Sequence, residues 1–540
     1  MIDFTHEQRV AIDYPSSMVL TACPGSGKTA VIVEKIVLDL SICKEFQGVI
    51  AISYTNKASD ELKRRCLKAL PDSKSSFFGT IDKFYLTEII HPFINHLWGS
   101  VNNLQVVKFN DLDSFAKDSL SIFYNDEYVC ENIDTFDFKE IKNLYAKGFL
   151  VLEFVPLLAY FILCKSLACR RYLCKKYTSM YIDEYQDAGF IQHLIFLKIF
   201  GFGVKAVAVG DIDQSIFLYA GKSSKYLMSL LGEGSGFKPF EITINHRSHS
   251  SIVNYASRML SENCELLVTD DTQVYRTTIN GSQQEVAKWI DDNINNVKQT
   301  FGISKEREIA LLAATNSSVL LMSGLVRTKL RAYIDDDLSK LGGDVSLLIK
   351  ELLSYRFNVL VTAQEIIDGL SIKVVERNAL REMRNVIKCV RKADDLHFIP
   401  ALRQAVKLLI NKDLSAQHID AVNAVLQNKM MLNNYLPVGD DELQLMTLHK
   451  SKGLEFDFVF HLDLYDWILP RREFIEGSFD IVFSNYDQCL NLHYVGVTRA
   501  KKAVVLINST ERLNYQHELK RAKPSQFLSL RGVEGLYRNI

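Results

Sequence analysis

The chain has 540 residues, 48% apolar and 24% charged, with a formal net charge of −1. That length allows three or four globular domains, and the near-neutral charge excludes a global electrostatic attraction to nucleic acid, so any such binding must use local basic faces. Met1 to Tyr14 shows no signal pattern, and the apolar run Phe149 to Leu163 is interrupted by Glu153 and Pro156, short of a membrane span; a cytoplasmic chain with no membrane partner is expected.

The first informative element is the apolar run Met18-Val19-Leu20, read as a strand. It leads into Ala22-Cys23-Pro24-Gly25-Ser26-Gly27-Lys28-Thr29 and a helix-periodic stretch from Ala30 to Leu40. Strand, Gly-rich loop and helix form a phosphate loop, whose backbone N–H groups and helix N-terminus can cradle a triphosphate. Lys28 would reach the β and γ phosphates and the Thr29 hydroxyl would sit on Mg²⁺. Ala22 stands where the strict pattern has Gly. A second apolar run, Met180-Tyr181-Ile182, ends in Asp183-Glu184-Tyr185-Gln186-Asp187. Asp183 can hold the metal and Glu184 can polarise an attacking water. Together the two motifs predict ATP hydrolysis, with ATP and Mg²⁺ as cofactors.

Further strand-like runs are Val49–Tyr54, Ala206–Val209, Glu241–Ile244, Ile309–Ala313, Leu443–Thr447, Phe458–Leu462 and Ala503–Ile507. Their alternation with helical stretches predicts an α/β fold of parallel sheets, with ligands beyond the strands' C-terminal ends. Two stretches, 88–175 and 328–437, read as mainly helical insertions. The ten Cys include no Cys-x-x-Cys pair; Cys164, Cys169 and Cys174, five apart, read as core thiols, with a metal site the alternative.

Seven or more blocks in order resemble a superfamily 1A DNA helicase of the UvrD, Rep and PcrA type, from residue 4 to about 507. Phe4 to Ile12 resembles the adenine-reading block, with Gln8 as the reader; a polar residue on an amphipathic helix is the plainer alternative. Tyr54, Thr55 and Asn56 resemble the segment that grips single-stranded DNA, and Gly79 to Phe84 the next block, with Ile81-Asp82 where the family has Phe-His. Val209 to Tyr219 resembles the block in which Gln214 senses the γ-phosphate and Phe217 and Tyr219 stack on bases; Ala220 stands where the family has Arg. Asn245-His246-Arg247-Ser248 implies an Arg247 finger from the second α/β domain, with His246 stacking on adenine. Thr447 to Asp457 implies DNA-phosphate contacts by Thr447 and His449 and a ribose contact by Glu455. Tyr494 to Lys502 implies a second finger, Arg499. Taken singly, each arginine reads as a surface ion pair, and the aromatics read also as core.

The resemblance implies two RecA-like parallel-sheet domains, each with a mainly helical insertion: 1–87 with 176–237 as the P-loop domain, 88–175 as its insertion, 238–327 with 438–540 as the second domain, and 328–437 as its insertion. It implies ATP-dependent 3′–5′ movement on single-stranded DNA and unwinding of tailed duplex DNA, in repair or phage defence. The insertions look shorter than those of repair helicases, and a compact chain of this kind resembles the helicase subunits of Gabija-type antiphage systems, which implies a nuclease partner protein. The other reading is a DNA-activated ATPase or nucleotide-sensing subunit of such a complex, without processive unwinding. In the second insertion Arg377, Arg381, Arg384, Lys388 and Arg391 fall on one helix face, beside an apolar stripe of Ala379, Met383, Val386 and Val390. This face reads as solvated, as a duplex-phosphate contact or as a dock for an acidic partner.

Overall fold

The computed structural model describes all residues except 1–2, 55, 102–103, 217–221, 371–376, 474–481 and 514–517, and only the backbone of 56, 57, 111, 368 and 369. Thr55, Phe217 and Tyr219, and the Asn56 side chain, therefore lie outside the described residues. Two compact units emerge: Met1–Gln105, Phe109–Asp270 and Phe483–Thr498 form one, and Val106–Lys108, Asp271–Val482 and Arg499–Ile540 the other.

The first unit is built on a six-stranded sheet in the order Phe77–Gly79, Gly48–Ile52, Tyr177–Ile182, Lys205–Gly210, Met18–Ala22, Lys238–Ile242. All its described pairings are parallel. Gly48–Ile52 is buried at every position. Such strands, buried on both faces, need helices on both sides, which is why they read as continuous apolar runs rather than alternating ones. The helix Lys28–Ile42 puts Val31, Ile32, Ile36 and Leu40 into that core. Its buried Lys35 donates to the carbonyls of Ala11, Ile12 and Tyr14 at 3.0, 3.1 and 2.7 Å. This clamps the first helix, His6–Asp13, against the phosphate-loop helix. Between His91–Trp98 and Leu167–Lys176 the chain is mainly helical, with the short strands Gln105–Val107 and Phe149–Val151 among the helices. Among the described residues no single helix is long and apolar enough to cross a membrane.

The second unit holds a seven-stranded sheet in the order Leu330–Ala332, Leu443–Thr447, Ile309–Ala313, Phe456–His461, Ala500–Ser509, Val274–Ile279, Arg538–Asn539. Its described pairings are also parallel. Helices between Asp337 and Leu432 form a separate apolar core that includes Leu352, Ile387, Leu402, Val406 and Val422. The helix Arg377–Lys392 buries Met383, Val386, Ile387 and Val390. Its apolar stripe thus includes Ile387, while Ala379 is only partly covered.

The boundary expected at residue 238 lies elsewhere. Lys238–Ile242 completes the first sheet, in parallel register with Met18–Ala22, and the chain stays in the first unit to Asp270. Phe483–Thr498 returns to it as well. Gln488 Nε2 donates to Ile216 O at 2.6 Å and Asn491 Nδ2 to Ser215 O at 3.0 Å. Alternation of strands and helices reveals that a strand exists but not which sheet it joins.

Candidate active site

The strand Met18–Ala22 delivers the chain into Cys23–Gly27, and the helix begins at Lys28. Gly25 and Gly27 have φ of 73° and 79°, a left-handed backbone that costs glycine little and other residues more. The turn also has no room for side chains. A Cβ on Gly25 would come within 2.5 Å of Arg247 Cβ, and one on Gly27 within 2.9 Å of Gln8 Nε2. The Cys23 thiol is pushed up to about 11, first by burial and then by Asp211; its Sγ donates to Thr243 O at 3.2 Å.

Glu184 follows the central strand Tyr177–Ile182 and sits at φ 56°, a left-handed conformation uncommon outside glycine that costs of order 1–3 kcal/mol. That geometry points its carboxylate toward the phosphate loop: Glu184 Oε1 is 3.6 Å from Lys28 Nζ. Asp183 Oδ1 accepts the Glu184 N–H at 2.9 Å. The buried Gln186 ties the site together. Its Nε2 donates to Glu184 Oε2 at 2.5 Å, and its Oε1 accepts from Asp211 N at 3.0 Å. Gln214 Nε2 in turn donates to Asp211 Oδ2 at 2.6 Å. Burial raises the Asp211 carboxyl, while Lys28 and the Gln214 bond pull it back. Lys28, Glu184, Gln186, Asp211 and Gln214 therefore form one polar network. The part played by Gln186, Asp211 and Asn245 was missed in the sequence; Gln186 lies inside the acidic motif, and that was the available signal.

Gln8 is buried under the loop. Its Oε1 accepts from Thr5 N at 2.9 Å, and its Nε2 donates to Ser26 O at 2.8 Å. One N–H and one lone pair of the amide remain for an adenine edge. The segment after Ile242 folds back on the loop: Asn245 Nδ2 donates to Pro24 O at 2.7 Å, and His246 N to Gly25 O at 2.9 Å. Asn245 Oδ1 accepts from Arg247 N and Ser248 N at 2.7 and 2.9 Å. Arg247, expected to come from the second α/β domain, instead belongs to the unit that holds the phosphate loop, because its backbone is fastened there through Asn245. The His246 side chain is exposed.

Tyr54 stands at the C-terminal end of Gly48–Ile52, half-buried, its hydroxyl donating to Gln192 Oε1 at 3.3 Å. Ser53 N donates to Gly79 O at 3.2 Å, so the segments starting at Ile52 and Gly79 share one sheet edge.

In the second unit, Leu448 N donates to Ala313 O at 2.8 Å, bringing two strand ends together. Thr447 is buried and its hydroxyl accepts from Lys450 N at 3.3 Å. Burial, then Lys452, lowers the His449 imidazole. The exposed Glu455 pairs with Lys501 at 3.5 Å. Arg499 is buried, its Nη1 donating to Leu454 O at 3.1 Å. Tyr494 to Thr498 lie in the first unit and Arg499 to Lys502 in the second, so the expected finger motif is divided between them.

Family models match both halves of the chain. A UvrD/REP helicase N-terminal domain matches residues 4–147 and 127–231, and a UvrD-like helicase C-terminal domain matches 329–511. The Gabija protein GajB of Bacillus cereus is 26% identical over 512 aligned residues, covering 92% of this chain and 94% of that protein. The ATP-dependent DNA helicase Rep of Buchnera aphidicola (subsp. Baizongia pistaciae) is 26% identical over 644, covering 97% and 94%. Rep of Escherichia coli is 23% identical, covering 96% and 93%.

Proposed function

The chain belongs to the UvrD-like helicases and is an ATP-dependent DNA helicase, and we propose that it moves 3′ to 5′ along single-stranded DNA, driven by the site around Lys28 and Glu184. The 3.6 Å approach of Lys28 to Glu184 beside the Gly25–Gly27 turn carries this reading. The loop's N–H groups and Lys28 hold the β and γ phosphates of ATP. Glu184, steadied by Gln186, takes the proton from the attacking water. Arg247 balances charge that develops on the transferred phosphoryl group, and Gln8 and His246 hold the adenine; Arg499 is carried as a second finger on the family resemblance alone. Among the described residues no group of three or more His, Cys, Asp or Glu could hold a metal unaided. The oxygen-only pair of Thr29 and Asp183 instead fits Mg²⁺ that takes its other ligands from phosphates and water. Bound there, the ion would neutralise phosphate charge.

On the DNA side, Tyr54, Thr55, Asn56, Phe217, Tyr219, Thr447 and His449 are the contacts we propose, with a cytoplasmic location. A duplex with a 3′ single-stranded tail tests the reading. ATP-dependent strand separation is expected with the 3′ tail and not with a 5′ tail; the opposite preference would overturn the polarity.

Chain length favours a defence role over general repair. The Rep alignment spans 644 positions, more than the 540 residues here, whereas the GajB alignment spans 512. The chain thus lacks segments that Rep carries and matches the more compact protein. A nuclease partner, with DNA-activated ATP turnover replacing processive unwinding, is the second reading; ATP hydrolysis stimulated by single strands without release of the 3′-tailed duplex would favour it.

A further inference from the structure

Lys222 is absent from the roles assigned above, yet it touches both sides of the proposed machine. Its ammonium lies 4.8 Å from the centroid of the Tyr54 ring, over the ring face. Tyr54 is fixed by its bond to Gln192, so this face has a definite place at the sheet edge. Asp82, on the neighbouring segment, is within electrostatic reach. Its carboxyl is raised by burial and drawn back down by Lys222. The Lys222 backbone bridges antiparallel to Gly189, and Ser223 N donates to Ala188 O at 3.2 Å. Ala188 ends the turn Tyr185–Asp187 that Glu184 begins, with Ala188 N donating to Tyr185 O at 3.0 Å. A short, hydrogen-bonded path therefore runs from Glu184 through Ala188 and Gly189 to Lys222, and from the Lys222 ammonium to the Tyr54 ring.

We propose that Lys222 couples a phosphate of single-stranded DNA to the loop that bears Glu184. An ammonium on an aromatic face is held by the ring quadrupole, whereas a phosphate oxygen offers a full charge and a hydrogen bond. A strand arriving at the sheet edge draws the ammonium from the ring to its phosphate. The vacated face of Tyr54 then accepts a base, and the shift of Lys222 reaches Glu184 through the Gly189 bridge. Lys222 is thus a positioning residue for hydrolysis and a direct contact for DNA. The inference rests on the reading of the chain as a single-strand translocase.

The test measures oligothymidylate binding to the full chain between about 50 and 200 mM salt, together with the ratio of ATP turnover with and without the oligonucleotide, for wild type, Lys222→Ala, Lys222→Gln and Lys222→Arg. Loss of one phosphate contact should flatten the slope of log affinity against log salt by about 0.7 in both neutral variants. The turnover ratio should fall with it, about tenfold for a contact worth one decade. Lys222→Arg should keep the slope. Lys222→Gln retains most of the stem over Tyr54, so it reports on charge where Lys222→Ala fails to fold. An unchanged slope in the neutral variants, or an equal loss in Lys222→Arg, would overturn the role of Lys222. Failure of the wild type itself to bind oligothymidylate would instead overturn the translocase reading.

Discussion

Lys28 and Glu184 meet at 3.6 Å, one at the start of the phosphate-loop helix and the other past the end of the central strand. Their side chains are 12% and 20% exposed, so solvent screens the pair only partly. In the proposed hydrolysis, arriving phosphates would compete for Lys28, which would release Glu184 to face the attacking water. The pair therefore places an ammonium and a carboxylate, the proposed phosphate-binding cation and proton acceptor, in reach of the same small volume.

Gln186 is the first residue whose loss should separate chemistry from binding. It connects Glu184 to the Asp211 backbone and touches no part of the phosphate loop by a described hydrogen bond. Gln186→Ala should lower kcat by roughly 10–100-fold, because it misplaces rather than removes a group whose proton transfer is worth roughly 10²–10⁴-fold, with ATP affinity changed less than about threefold. Steady-state turnover and equilibrium nucleotide binding measure the two effects separately. A loss confined to affinity would place Gln186 outside the hydrolytic step.

Arg391 should behave unlike the other cations on its helix. Its Nε donates to Tyr355 O at 2.7 Å, its Nη2 to Asn358 O at 3.1 Å and Val361 O at 2.7 Å, and its guanidinium lies 3.5 Å from the centroid of the Tyr355 ring. It is a clamp on carbonyls in the last turn of the helix Gly343–Phe357 and just after it, and does not belong to the exposed basic face. Arg391→Ala should cost about 2–4 kcal/mol of stability, since charge-assisted bonds are lost together. Arg381, Arg384 and Lys388 are exposed. Reversing these three should change stability by less than about 0.5 kcal/mol and flatten the salt slope of duplex binding by about 0.9 per lost contact. Chemical denaturation and a salt titration read these outcomes.

Two buried histidines set a pH window for stability. His461 and His193 are both lowered by burial from 6.5 to about 4. The unfolded chain binds these protons more readily between about 6.5 and 4, so stability rises with pH across that range. The contribution is complete above about 6.5 and is lost as pH falls toward 4. Two protons give a maximum slope of about 2.7 kcal/mol per pH unit. Denaturant midpoints between pH 7.5 and 5, for wild type and His461→Asn, should show the variant with a shallower decline.

Local chemistry made the phosphate loop and the acidic pair legible, because each consists of consecutive residues between an apolar strand and a turn. Strands such as Ile309–Ala313 and Leu443–Thr447 were equally plain, since both are continuous apolar or alternating runs. Val274–Ile279 was not. Its Arg276, Thr277 and Thr278 break the run, and pairing with Ala500–Ser509 on one side and Arg538–Asn539 on the other reveals it as a strand. Lys238–Ile242 was visible as a strand at its end but joins the earlier sheet, a fact set by pairing across more than 200 residues of sequence. Sequence spacing gives Gln186 no role and puts Arg391 on the basic face for the same reason: each acts on groups brought close by folding, and no spacing rule carries that information.

The most direct test of the account separates nucleotide binding from turnover at Lys28 and Glu184. Glu184→Gln keeps the size and much of the hydrogen bonding of the side chain but cannot accept the proton. It should bind ATP within about threefold of wild type and lose at least about 100-fold in turnover with single-stranded DNA present. Lys28→Ala should lose ATP binding itself. Turnover near the wild-type rate in Glu184→Gln, or ATP bound normally by Lys28→Ala, would contradict the assignment of this site as the motor of the helicase.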